Sequence, residues 1–226
     1  MSGFRNKPKY LKGALVEFGL SLPPLFVVFQ YNPEQLTRNK NLSFSAPSNY
    51  ENGLVRFHKD TDDLLEIQKC QEVNVEEESV SFEIKLDATD DLNDDDAITK
   101  EFGIAPQIAT LELMVTPKDE SLIGAAVSAL LGGNNNAFSF TKGENPPMLL
   151  FIFGRKRVLP VNVNSMNITE THFSTVLNPI RATVSLNLTV IEGTNLAYGY
   201  SKVMKEVMSV LNLANIADIA DVVIPG

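Results

Sequence analysis

Two histidines and one cysteine bound what this chain could do with a nucleophile or a soft metal. His58, Cys70 and His172 could supply a thiol–imidazole pair, but no orienting residue or oxyanion motif accompanies them. The chain has no glycine-rich phosphate loop, no zinc-type spacing of Cys or His, and no Gly-x-Ser-x-Gly. Its densest ionisable stretch runs from Asp87 to Asp96. Asp91, Asn93 and Asp95 alternate as calcium ligands do in an EF-hand loop. That loop needs glycine at its sixth position and glutamate at its twelfth, where Asp96 and Phe102 stand. A helix start explains the aspartates better, because carboxylates favour the positive end of the helix dipole. Glu76-Glu77-Glu78 reads as a solvated loop or strand edge. The expectation is no enzyme activity, no cofactor and no metal site.

Composition narrows the partners. The net charge is -9, which argues against nucleic acid, since a binder needs a basic face. A single cysteine excludes an internal disulfide framework. No apolar run reaches the ~18 residues that span a bilayer, and the basic N-terminus lacks the apolar core of a secretory signal. Synthesis in the cytosol is expected, with any exit as part of a larger particle. Hydrophobic residues make up 44% of the chain, enough for a real core.

The elements that must position any site are mainly strands, and Leu149 to Glu192 organises the rest. Ile180, Ala182, Val184, Leu186, Leu188 and Val190 alternate with Arg181, Thr183, Ser185, Asn187 and Thr189, which predicts a strand with one apolar and one polar face. At ~3.3 Å per residue it reaches ~35 Å. Before it come an apolar run, Leu149 to Phe153, a basic turn, Arg155-Lys156-Arg157, and a long alternating run from Val158 to Phe173. Upstream, strands are expected over Leu11–Gly19, Phe26–Tyr31, Gln35–Leu42 and Ser79–Leu86. The second, nearly all apolar, should be buried on both faces. Asn32-Pro33-Glu34 turns the chain. Ala46 to Cys70 is ambiguous, with helix-like spacing over Asp60–Lys69. Helices are expected over Ala97–Phe102 and, after a break at Gly103 to Pro106, over Gln107–Met114. Leu122–Leu131 and Tyr200–Asp221 should also be helical, the latter with a stripe of Val203, Val207, Val210 and Leu211.

Several of these motifs are shared, in order, with a known family. PPMLLFIFG, LPVNVNSMNITETHFS and LNPIRATVSLNLTVIE, with LVEFG and FVVFQYNPEQLTR near the start, resemble the tube proteins of contractile injection systems, the phage-tail-like particles with an inner tube, a sheath and a baseplate. The likeness covers most of Lys12 to Glu192. It implies a mostly β fold, a tube-type barrel of two packed antiparallel sheets with one internal helix, followed by a C-terminal helical appendage. The domains expected are a flexible arm over 1–10, a barrel over 11–192 with an insertion at 117–143, and the appendage over 193–226.

The resemblance also implies a homo-hexameric ring closed by strand pairing across subunits. Its neighbours would be a spike or hub protein, inner-tube subunits, and baseplate or sheath proteins. The chain exceeds a bare tube subunit in length, and its opening motifs look like the baseplate-proximal, tube-initiating type. A LysM-like segment, frequent in that type, is missing after Glu192. The alternatives are an ordinary stacking tube subunit and a non-enzymatic β-barrel binding protein. Assembly contacts are expected at Tyr31, Asn32 and Pro33, at Asn178, Pro179 and Arg181, and at Val203, Val207 and Leu211. In a ring, strand faces turned from the core should divide into a polar lumen side and a partner-facing side. Fusion-peptide and membrane-surface readings of the two C-terminal-half helices are outweighed by subunit packing, because neither is long enough or basic enough.

Overall fold

The computed structural model describes residues 11–19, 25–93, 96–116 and 145–212. The expected helix Leu122–Leu131 and the insertion at 117–143 lie outside those residues, as does the arm over 1–10. Seven strands form one antiparallel sheet in the order β2-β1-β7-β8-β9-β6-β3. They are β1 (Ala14–Glu17), β2 (Phe26–Val28), β3 (Leu36–Asn39), β6 (Ser79–Asp87), β7 (Leu149–Ile152), β8 (Val158–Phe173) and β9 (Pro179–Val190). A second sheet pairs only β4 (Leu42–Ser45) with β5 (Glu72–Val75).

The central pairing obeys the alternation in the sequence. Val80 faces Leu188, Phe82 faces Leu186 and Ile84 faces Val184 across β6 and β9, and all six are buried. Opposed side chains in an antiparallel ladder share a face, so this register builds an apolar floor. The sheet then rolls over itself. Phe29, just after β2, lies 5.6 Å from Phe82, and Phe82 stacks 5.0 Å from Phe151 of β7. Gln30 fastens the fold-over, donating from Nε2 to the Asp87 carbonyl at 2.6 Å while its Oε1 accepts from the Asp87 N–H at 2.8 Å.

The described residues differ from the expected architecture in three respects. β2 and β3 end the sheet order without pairing to each other, so the described sheet is open and no closed barrel forms within it. The second sheet is a two-stranded ribbon with every residue exposed, not a layer packed on the first. Among the described residues five helices precede β7, more than the one internal helix that the resemblance implies: α1 (Leu54–Asp60), α2 (Leu64–Cys70), α3 (Thr89–Asn93), α4 (Ala97–Phe102) and α5 (Ala105–Met114), of which α4 and α5 fall where the spacing predicts helices. Only α5 contributes an apolar face of some size to the main core, burying Ile108, Leu111 and Met114.

β2 also departs from expectation. Phe26 and Val28 are exposed while Val27 and Phe29 are buried, because β2 is an edge strand with one covered face. The acidic run does start helices. Asp87 accepts from the Thr89 N–H and Asp96 from the Thr99 N–H, each at 2.8 Å. At Gly103, φ is +60°, and a Cβ there would overlap the Pro179 carbonyl oxygen, so only glycine fits between α4 and β9.

Candidate assembly surface

The outward face of the sheet differs from one half to the other. Along β8, β9 and β6 it is polar and concave, enclosing about 1260 Å³. The floor is largely uncharged: Asn187 donates to the Ser81 hydroxyl at 3.0 Å, and Asn164 donates to Asn187 Oδ1 at 3.2 Å and to the Thr189 hydroxyl at 2.6 Å. Asn164 reaches two partners because β8 shifts register between Val163 and Ser165. Charges gather at the rim. Arg181 meets Asp87 at 2.8 Å and Lys85 meets Glu34 at 2.7 Å. Burial pushes the Asp87 carboxyl up, but Thr89 and Arg181 outweigh it and hold it below its ordinary value. The Lys85 hydrogen bond holds Glu34 down as well.

Along β2, β1 and β7 the same outward face is apolar. The register places Val28 beside Ala14 and Ile152, and Phe26 beside Val16 and Leu150. The outward side of one sheet is therefore polar in one half and apolar in the other.

The nine residues singled out from the sequence fall into three places. Tyr31 and Asn32 line the concavity with Arg181. Asn32 also braces the turn, accepting from the Gly13 N–H and donating to the Leu11 carbonyl, both at 2.8 Å. Pro33 is half-buried beside it. Asn178 and Pro179 grip the α4–α5 junction. The Asn178 amide donates to the Glu101 carbonyl, and the Pro179 carbonyl accepts from the Ile104 N–H at 3.0 Å. Val203, Val207 and Leu211 lie on α6 (Leu196–Asn212), exposed, near the opposite end of β9. The helix begins earlier than the stripe suggests, with Asn195 Oδ1 accepting from the Tyr198 N–H at 2.8 Å. Residues past Asn212 lie outside those described.

α6 is held by a different face from its valine stripe. Ser201 is buried, and its hydroxyl bonds the Val158 carbonyl at 2.6 Å and the Val158 N–H at 3.1 Å. Lys205 reaches Glu78 at 3.2 Å, and Arg38 of β3 reaches the same carboxylate. Glu78 is 3% exposed, which corrects the solvated reading of the glutamate run. Burial pushes its carboxyl up, but the bonds from Arg38 and Lys205 prevail and hold it below 4.5. A charge that follows two exposed glutamates gives no sign of burial, since its partners lie 40 and 127 residues away.

His172 closes β8 in an exposed position with φ of +57°, and Cys70 is exposed at the end of α2. No grouping of three metal-ligating side chains occurs among the described residues, and none of their helices is long and apolar enough to cross a membrane. No protein-family model matches the chain, and no curated protein matches it.

Proposed function

We propose that this chain is a structural subunit of a contractile injection system, forming a hexameric ring at the base of the inner tube. It would join the spike hub and baseplate to the tube and start tube polymerisation. The observation that carries the reading is an uncovered strand edge. β7 pairs only with Val158 to Val161 of β8, so residues 163–173 are laddered on one side alone among those described. On the other flank, β3 covers β6 only from Ser79 to Phe82. Long open edges recruit further strands. A neighbour's β3–β6 edge laid along β8 would continue the sheet head to tail, and such contacts close into a ring when the rotation allows.

The concave polar half supports the same reading. A water-filled lumen suits hydroxyl and amide side chains already bonded to one another, which offer a passing cargo little to adhere to. The tube-protein motifs fall on β1, the β2–β3 turn, β7, β8 and β9, the elements that build this sheet. A non-enzymatic binding protein is the second reading, favoured by the volume of the concavity, and it predicts a monomer.

Light scattering on the purified full chain, alone and mixed with baseplate components, separates the two. A mass of six subunits, alone or on mixing, is expected. A monomer that joins no particle overturns the ring.

A further inference from the structure

The β4–β5 ribbon carries an apolar face that nothing among the described residues covers. Leu42 pairs with Val75 and Phe44 with Val73, so all four side chains share one face, and each is about half exposed, at 51%, 49%, 48% and 45%. The other face shows Ser43, Ser45, Glu72 and Asn74. A two-stranded ribbon is marginal in water without something against its apolar side. The ribbon prolongs the β3–β6 pair, so it leaves the sheet from that flank.

We infer that this ribbon is an arm that lies on the apolar outer face of β2, β1 and β7 in a second copy of the chain. Three observations select that occupant. The receiving face is apolar where the arm is apolar, with Phe26 and Val28 exposed at 59% and 50%. The charges are opposite. Residues 41 to 77 hold eight Asp or Glu against three Lys or Arg. The receiving end exposes Lys12, Arg155 and Lys156, while Arg157 is partly buried near Glu78 and the acid of β1, Glu17, is buried. Opposite fields orient an encounter and reject the reversed pairing. The positions also agree. β3 and β2 are the two ends of the sheet order, and β7 is the second partner of β8. A copy whose β3–β6 edge lies along β8 therefore brings its arm to β7 and the strands beyond it. The inference rests on the ring reading in that last step and names the contact that would lock each subunit to the next. Its geometry is heterologous: an arm meets a face, never another arm.

Single-cysteine chains in a Cys70→Ser background test it. A tagged chain carrying Val75→Cys is mixed with an untagged chain carrying Val28→Cys and oxidised, with Phe44→Cys and Phe26→Cys as a second pair. Disulfides require Cα atoms within about 7 Å, so they report direct contact. Mixed dimers in either pair are expected, with loss of the cross-link when arm is mixed with arm or face with face. Same-position dimers alone overturn the head-to-tail contact. A ring seen by light scattering with no mixed cross-link overturns the arm and leaves the ring reading standing. A monomer with no cross-link overturns both. A chain carrying both cysteines that closes within itself shows that the face belongs to its own arm, and also overturns the inference.

Discussion

The β8–β9–β6 half and the β2–β1–β7 half of the sheet share one core and differ entirely on their outward side. In the first half the outward positions are mostly hydroxyls, amides and rim charges, and Asn164, Asn187, Thr189 and Ser81 bond one another across three strands. In the second half the same positions hold Phe26, Val28, Val16 and Leu150. Folding alone asks little of an outward face, so side-chain choice there reports what the face meets afterwards. A polar surface that is concave and internally bonded is suited to water. An apolar one on an edge strand is suited to protein.

The comparison breaks first if the halves do not share a core. Phe82 stands between them, touching the rings of both Phe29 and Phe151. Phe82→Ala should cost about 3–5 kcal/mol and shift a single unfolding transition. Two separated transitions in denaturant would show that the halves fold independently. The next effect sits where β9 meets α4. Gly103→Ala puts a Cβ into the Pro179 carbonyl at a positive φ, with an expected cost of at least about 1–3 kcal/mol. A neutral result would mean that the α4–α5 junction is not held against the polar half.

Much of the first half was legible in sequence, and less of the second. The runs Val80 to Leu86 and Ile180 to Val190 alternate strictly because each strand has one wet and one dry face, and both faces are written in residue type. Phe26 to Phe29 has no alternation to read. Apolar residues on an edge strand look like apolar residues in a buried one, and only the sheet order tells them apart. The ribbon escaped for a related reason: Leu42, Phe44, Val73 and Val75 are two residues of pattern on each of two strands 30 residues apart. α1 carries one buried side chain, Phe57, and its N-terminal Gly53 supplies no side-chain cap, so neither a stripe nor a capping residue marks it. On α6 the conspicuous valines are outward, while the contact with the sheet rests on Ser201 and Lys205, which hydropathy passes over.

The attachment of α6 sharpens the comparison, since it fixes the helix to the start of β8, where the halves join. Glu78 titrates below its ordinary 4.5 in the folded chain. Its ion pairs therefore add stability above that pH and lose it as the pH falls through the lower folded value. Glu78→Gln should cost about 1 kcal/mol near neutrality, a modest amount because Arg38 and Lys205 are partly solvated. The gap in melting temperature between the two proteins should close as the pH falls below about 4. A gap that persists unchanged in acid would exclude the carboxylate as its source.

The smallest effect on folding is the most informative about the two faces. Ser185→Asp on the polar half and Phe26→Asp on the apolar half each change an outward side chain, and each should alter unfolding free energy by about 0.5 kcal/mol or less. Their effects on solution mass should differ. At Ser185 the added carboxylate stands opposite Glu83 of β6, a like charge that the open water of the concavity screens, and it remains hydrated whether or not a ring forms, so Ser185→Asp leaves the oligomer as it was. At Phe26 the carboxylate must shed its water for a second chain to cover it, and also faces the acidic arm. Phe26→Asp should therefore lower the mass toward one subunit while the melting temperature holds. Equal masses for the two variants would mean that the apolar half is not where chains meet, and the difference between the faces would then need another cause.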